Sequence, residues 1–295
     1  MNGILNVLKP AGMTSFDVIG YLRKILKIKK IGHTGTLDPA AVGVLPICIG
    51  KATKAIEFLM DKDKIYRAEL TLGISTDTQD STGETISIKD VSVTREQIIN
   101  ATNSFCGKYL QLPPMYSAIK VNGRKLYDLA RAGLEVERKE REVEIHFINI
   151  LSIRNNRVIF DVGCSKGTYI RTLCSDIGEK LGCGGHMSFL VRTKAGQFSL
   201  EDSLTLEEIT AFSVEKVLDK RVLGIEKVFD DLSDIILEPA DEKRLVNGLS
   251  VKLEGIMDDS LSSVRVYGEN NRFLALGDII PYNGGYFLKS RKLFV

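Results

Sequence analysis

Strand-like and helix-like stretches follow one another along this chain without a strand–helix–strand rhythm, and that order constrains the fold more than any other feature. A regular alternation would call for a parallel, doubly wound sheet. Its absence predicts an α+β domain with a mixed, mostly antiparallel sheet and flanking helices. Residues 4–8 form an apolar run ended by Lys9-Pro10-Ala11-Gly12, which reads as a strand entering a turn. Thr14 or Ser15 caps a helix on which Phe16, Ile19, Leu22, Ile25 and Leu26 recur at helical spacing. Residues 32–50 are too rich in glycine and proline for regular structure and are expected to form a long ordered loop holding Pro39 and Pro46. Residues 51–60 resume as a helix, 65–72 alternate as a strand and 76–84 read as a loop. Thr94, with Gln97 three residues on, caps a helix over 94–105. Residues 143–153 and 158–164 read as paired strands turning at Asn155-Asn156; 168–181 read as a helix stopped by Gly182, and 187–198 alternate again.

The length of 295 residues suits one large domain and a small one, divided here as residues 1–230 and 231–295. In the second part Glu238-Pro239 opens a short helix ending at Gly248. Alternating runs at 264–267, 273–276 and 286–288 follow, separated by Asn-Asn and Asn-Gly-Gly turns, the pattern of a small β-barrel. Hydrophobic residues make up 44% and charged residues 26% of the chain, enough to bury a core without disulfide or metal staples. No window approaches the roughly 18 apolar residues of a membrane span, and the N-terminal residues lack a signal peptide's basic start and apolar run. A cytoplasmic location is expected. The five cysteines include no Cys-x-x-Cys pair and the histidines number three, which is poor material for a zinc centre. Each cysteine is expected as a small buried hydrophobe.

Net charge is only +2, so composition does not declare a nucleic-acid partner. Basic residues do cluster, as Arg23-Lys24 with Lys27, Lys29 and Lys30, as Lys120 with Arg124 and Lys125, and as Lys289 with Arg291 and Lys292. Such patches can be ordinary solvated faces or can hold a phosphate backbone.

The densest chemistry lies in Gly32-His33-Thr34-Gly35-Thr36-Leu37-Asp38-Pro39. The glycines permit tight turns and close backbone approach, and Pro39 biases Asp38 away from helical angles. One carboxylate would then stand on a stiff loop beside an imidazole and two hydroxyls. An Asp-Pro that merely starts a turn is the simpler reading of these residues alone. Residues 43–51 match a phosphate-binding loop only superficially, because Cys48 and Ala52 stand where Gly and Ser/Thr are needed.

Four stretches bear on this choice together: residues 8–15 (Leu-Lys-Pro-Ala-Gly-Met-Thr-Ser), 32–39, 114–120 (Pro-Met-Tyr-Ser-Ala-Ile-Lys) and 164–171 (Cys-Ser-Lys-Gly-Thr-Tyr-Ile-Arg). In this order they closely resemble the bacterial tRNA pseudouridine-55 synthases, the B-type pseudouridine synthases, over nearly all of residues 1–230. The tail resembles, more weakly, that family's PUA-like RNA-binding domain. Thr76-Asp77-Thr78-Gln79-Asp80 with Gly83 looks like the bacterial stand-alone branch, not the guide-RNA-dependent relatives.

The resemblance implies a fold of the pseudouridine synthase type, the T-arm of transfer RNA as partner, no guide RNA, and isomerisation of one uridine without a cofactor or metal. Asp38 matches the catalytic aspartate. Attack at C6 of the base, action at C1′ of the sugar and abstraction of a sugar proton all stay open. Arg171 matches the arginine that pairs with it, expected to fix its direction through paired hydrogen bonds and to keep it ionised. Tyr66 matches a tyrosine that stacks on the target base, and Tyr169 is expected to line the same pocket. His33 matches the residue placed into the gap left by flipped nucleotides. Leu190 resembles an apolar pocket wall. Lys51 and Lys54 are candidate phosphate contacts, while Lys9, Pro10 and residues 116–120 are expected to brace the active-site loop. A non-catalytic RNA binder or folding chaperone would use the same surfaces but has no need of the Asp38, Tyr66 and Arg171 set. A monomer is the default expectation.

Overall fold

The computed structural model describes residues 1–121, 123–253, 262–282 and 284–295. In chain order the strands of the first part are β1 (Gly3–Lys9), β2 (Ile31–His33), β3 (Val42–Ile49), β4 (Lys64–Leu72), β5 (Ile74–Thr76), β6 (Thr85–Ile88), β7 (Gly107–Gln111), β8 (Lys120–Val121), β9 (Arg124–Lys125), β10 (Arg141–Arg154), β11 (Arg157–Cys164), β12 (Gly185–Ala195) and β13 (Phe198–Ser199). Nine of them form one sheet in the order β1-β3-β12-β4-β11-β10-β7, with β2 on β3 and β13 on β12. Every pairing is antiparallel except β12 with β3, which run parallel at Val191–Val42 and Arg192–Gly43. The mixed, mostly antiparallel α+β arrangement is thus as the patterning implied.

The flanking helices start where the sequence places their caps. Helix α1 (Ser15–Leu26) begins at a capping box in which the Thr14 side chain accepts from the Asp17 amide and Asp17 accepts from Thr14. Helices α2 (Ile56–Met60), α3 (Arg95–Asn103) and α4 (Leu126–Arg131) follow, α3 with its capping box between Thr94 and Gln97. Helix α5 (Ile170–Lys180) is released at Gly182, whose φ of 77° suits a residue without a Cβ. Its buried face, Ile170, Leu173 and Ile177, joins a core with Leu70, Val158 and Phe160 of the sheet. Helix α6 (Leu206–Val214) packs with α1 against β1 and β3 through Ile209, Val18, Leu22, Leu5 and Leu45.

Residues 32–50 depart from the long loop expected of them. Only 34–41 is irregular; β2 and β3 occupy 32–33 and 42–49, and Gly50 opens a 3₁₀ turn. Residues 42–49 are buried on both faces: Val44 and Cys48 enter one core, while Leu45, Ile47 and Ile49 enter another. A strand buried twice reads as a continuous apolar run, so no alternation marks it. Pro46 is tolerated by geometry. Its carbonyl accepts from the Thr34 amide, so its nitrogen faces that same edge, between the β12 pairing at 42–43 and the β2 pairing at 47–49, where no donor is required. Residues 51–60 divide into a 3₁₀ turn, Gly50–Ala55, and then α2. Four of the cysteines are buried and Cys106 is exposed, against the expectation that each is internal.

In the second part β14 (Asp234–Ile236) precedes α7 (Pro239–Val246), and with β15 (Val251–Leu253), β16 (Ser263–Tyr267), β17 (Phe273–Tyr282) and β18 (Gly285–Leu293) it pairs in the order β14-β16-β17-β18-β15. Among the described residues this is an open five-stranded sheet, because β14 and β15 lie at its two edges and do not pair with each other. Alternation tells which side chains face the core but not whether the edge strands meet. Asn270 and Asn271 turn with positive φ as their type allows; Asn283, of the second expected turn, lies outside the described residues. The sheet seats on the larger one through Phe273 and Phe294, stacked at 5.4 Å, and through Phe229, which also meets Phe58 at 5.2 Å. Among the described residues no helix is long and apolar enough to cross a membrane.

Two glycines near the irregular loop separate backbone freedom from space. Gly43 has φ 115°, and a Cβ there would lie 2.3 Å from the Arg192 carbonyl oxygen. Gly12 has φ 84° and open space around it. Gly12→Ala is expected to lose roughly 1–2 kcal/mol, the penalty of a left-handed L-residue. Gly43→Ala is expected to lose about 4 kcal/mol or more, because the β3–β12 pairing must open. Urea unfolding of the two variants checks this; equal losses would contradict it.

Candidate active site

The loop at residues 34–41 is held from several directions. The Leu37 amide donates to Ser15 Oγ at 2.9 Å, and the Gly12 amide donates to the Pro39 carbonyl at 2.9 Å. Thr34 is tied to Pro46, as above. Lys9, with none of its surface exposed, donates from Nζ to the carbonyls of Ala41 (2.7 Å), Pro39 (3.2 Å) and Pro10 (2.8 Å). Pro10 is itself exposed, and its carbonyl is part of that cradle. Arg192, 2% exposed, donates to the carbonyls of Gly35 (3.1 Å) and Val44 (2.7 Å). With its backbone tied on both sides, Asp38 has little freedom to move.

Arg171 approaches Asp38 from the first turn of α5. Its Nε lies 3.0 Å from Asp38 Oδ2. A cation at this end of a helix opposes the helix dipole, and no acidic residue stands in the first turn to compensate it. Compensation comes from outside the helix. Nη1 donates to the Thr78 carbonyl (3.1 Å) and lies 3.6 Å from Asp80 Oδ2, while Nη2 donates to the Tyr116 carbonyl (2.9 Å). The expected paired hydrogen bonds to Asp38 are therefore replaced by one contact through Nε. The guanidinium spends its remaining donors on the loops that flank the site. Residues 116–120, expected to brace the Asp38 loop, brace Arg171 through Tyr116. Asp80 is fixed in turn by Thr78 Oγ1 (2.8 Å), the Thr82 amide (2.9 Å) and Thr82 Oγ1 (2.6 Å).

Among the described residues Asp38 is engaged through Oδ2 alone, and 39% of its side chain remains open. Withdrawal from water raises the Asp38 carboxyl above its ordinary value. Arg171 pulls it back, Asp80 pushes it further up and Lys9 opposes it again. The free oxygen thus combines negative charge, partial desolvation and access from outside, as a nucleophile or base requires.

Tyr66 stands on β4 opposite Arg192 on β12. Burial pushes its phenol up, and the charge of Arg192 opposes the shift. Leu190, two residues before Arg192, is buried in the core that Leu37 and Ala41 also enter, with Tyr66 packed against it. Tyr169 precedes α5. Gln111 fixes its backbone, accepting from the Tyr169 amide (2.8 Å) and donating to its carbonyl (3.1 Å). Burial raises the Tyr169 phenol as well, and both Arg171 and Asp38 act on it. His33 is half-buried, with Nδ1 accepting from the Gly35 amide at 3.2 Å and its ring edge to face with Phe16 at 5.4 Å. Burial and the charge of Arg192 lower its pKa, so the imidazole is neutral at neutral pH.

Lys51 and Lys54 are not drawn into this group. Lys51 is exposed, and its amide donates to Asn2 Oδ1. Lys54 Nζ donates to the Leu293 carbonyl at 2.7 Å, so it ties the 3₁₀ turn to the C-terminal sheet. Arg192 and Asp80 are the residues that motif reading missed as parts of the site. Nothing local marks Arg192 in an alternating strand, and Asp80 sits in a polar turn that reads as solvent-facing. Among the described residues no group of three or more His, Cys, Asp or Glu is arranged to hold a metal ion.

The burial of Lys9 has a measurable consequence. Desolvation, reinforced by Arg192 and opposed by Asp38 and Asp17, lowers its pKa to about 8 from 10.5. Between these values the unfolded chain holds a proton that the folded chain has released, so stability rises with pH across that window. The wild type is expected to gain about 3 kcal/mol relative to Lys9→Met between pH 8 and 10.5. Unfolding free energies of both proteins against pH measure the difference; parallel curves would contradict it.

The structure thus brings together Asp38 and a buried Arg171, residues from two of the four motifs. Comparison with known proteins bears on the family. The family model for the TruB family pseudouridylate synthase (N terminal domain) matches residues 23–170, and that for the tRNA pseudouridylate synthase B C-terminal domain matches residues 171–230. The tRNA pseudouridine synthase B of Clostridioides difficile (strain 630) is 51% identical over 302 residues, covering 100% of both chains. That of Alkaliphilus oremlandii (strain OhILAs) is 54% identical over 259 residues, covering 88% of this chain and 85% of the relative. Among solved structures, a chain of a Cbf5-Nop10-Gar1 complex superposes with a TM-score of 0.77 at 28% identity, covering 99% of this chain and 85% of that one. Motifs, fold and relatives converge, and the chain belongs to the TruB family of pseudouridylate synthases.

Proposed function

We propose that the chain isomerises uridine-55 in the T loop of transfer RNA to pseudouridine, with Asp38 as its catalytic carboxylate. The observation that carries this reading is the setting of Asp38: Oδ2 rests on the buried Arg171 while 39% of the carboxylate side chain stays open to solvent. The reaction breaks the bond from N1 to C1′, turns the base and joins C5 to C1′. The proton lost from C5 is balanced by one gained at N1, so no redox partner or energy source enters. A T-loop base is buried in folded transfer RNA and must be extruded to reach Asp38. In this reading Tyr66 stacks on the extruded base, Tyr169 and Leu190 wall the pocket, and His33, flat and uncharged, fills the space the base has left. Arg171 keeps Asp38 ionised and aimed; Lys9 and the Pro10 carbonyl hold the loop from behind.

Residues 1–230 carry the chemistry in this proposal. Residues 231–295 act as a PUA-like RNA-binding domain, for which the junction through Phe229, Phe273 and Phe294 supplies a firm seat. The chain works in the cytoplasm as a monomer and without a guide RNA.

Unmodified transfer RNA incubated with each protein and probed by carbodiimide adducts tests the assignment. Asp38→Asn is expected to form no pseudouridine while still binding RNA; full activity would overturn it. Arg171→Lys is expected to lose about 100-fold or more in single-turnover rate with binding retained, because an ammonium cannot hold Asp38 and the two loop carbonyls in one plane. Near-normal turnover would remove Arg171 from the mechanism.

A further inference from the structure

Helix α1 buries Val18, Ile19 and Leu22 and leaves its opposite face bare. Phe16, Gly20, Arg23, Lys24 and Lys27 are exposed there, Phe16 with 69% of its surface open. Between Asp17 and Asp38 the sequence contains five cations, Arg23, Lys24, Lys27, Lys29 and Lys30, and no carboxylate. Among the described residues none of the five forms an ion pair, whereas Arg67 is paired with Asp161 at 2.7 Å and Lys166 with Asp61 at 2.7 Å. Arg23, Lys27 and Lys29, with Ile28, line a shallow depression of about 550 Å³ at the end of α1.

The other end of this face reaches the active site. Phe16 meets His33 edge to face, and His33 leads directly into the loop that carries Asp38. From Phe16 to Lys27 the helix rise spans about 16 Å. An exposed aromatic ring and a field of unneutralised positive charge are both unfavourable in water, and one kind of partner relieves both. A nucleic acid strand presents π faces and phosphates in succession.

We propose that this face of α1 is a docking track for the RNA strand flanking the target nucleotide. Phe16 stacks on an unpaired base beside the one extruded toward Asp38. Gly20, with no side chain, leaves room for the backbone, and Arg23, Lys27 and Lys29 take phosphates at the depression. The inference rests on the reading of RNA as substrate and adds a second contact zone, separate from the catalytic pocket.

Binding of unmodified transfer RNA to the full-length Asp38→Asn protein, measured against salt concentration, tests it without turnover. Adding Arg23→Gln, Lys27→Gln and Lys29→Gln together is expected to weaken binding at least tenfold and to reduce the salt slope by roughly 2–3. Adding Phe16→Ala is expected to weaken binding roughly fivefold or more with the slope unchanged, and Phe16→Tyr to restore it. Thermal melting verifies that each variant is folded, which these exposed positions favour. Unchanged affinity and slope in the triple variant would overturn the track, as would unchanged affinity with Phe16→Ala. So would loss of binding to anionic vesicles with RNA affinity intact. Pseudouridine formation by the unsubstituted protein is scored in parallel. If product forms but the variants bind normally, the track fails while the enzymatic reading stands; if no product forms, the enzymatic reading itself fails.

Discussion

The contact between Arg171 Nε and Asp38 Oδ2 is the interaction on which the rest of the site depends. It joins two parts of the chain far apart in sequence, the loop between β2 and β3 and the start of α5. Without the guanidinium the Asp38 carboxyl would move further up, since desolvation and Asp80 both push that way. Without Asp38, Arg171 would be 5% exposed at the positive end of a helix, an arrangement that destabilises both the charge and the helix. Each group makes the other's position tenable. Because Arg171 also holds the carbonyls of Thr78 and Tyr116, the same side chain ties the pair to the two segments that carry them.

Lys9 and Arg192 show a second way of keeping charge inside a protein. Neither rests on a carboxylate; both are solvated by backbone carbonyls of the segments next to Asp38. Such a cation acts as a rigid clamp on main chain, and its field remains available to the site. The shifts of His33 and Tyr66 both carry the mark of Arg192. A pocket built on a clamped loop and a positive interior suits an extruded base attached to a polyanionic backbone.

Much of this was legible in the sequence where local physics decides. The cap at Thr14 or Ser15, the capping box at Thr94, the stop at Gly182 and the turn at Asn155-Asn156 are set by a few neighbouring residues. The site pair was legible through motif order, since neither Asp38-Pro39 nor Arg171 announces chemistry alone. What escaped depends on distant partners. Residues 42–49 became a strand because they are sandwiched between two cores, which period-two patterning cannot reveal. Lys54 met Leu293, nearly the whole chain away, and lost the surface role its charge suggested. The geometry of Arg171 followed from carbonyls at Thr78 and Tyr116 that no motif specifies. The C-terminal alternation gave β16, β17 and β18 but neither edge strand, β14 or β15.

The central claim is that Arg171 sustains the charge of Asp38. Single-turnover pseudouridine formation followed across the acid range, in the wild type and in Arg171→Gln, reads that ionisation through the reaction itself. The wild-type rate is expected to fall as pH drops through a midpoint above the ordinary 3.8 of an aspartate. In Arg171→Gln the midpoint is expected to move further up, because the charge that opposed desolvation is gone. Coincident midpoints would contradict the account, leaving Arg171 as a structural brace and Asp38 ionised by some other means.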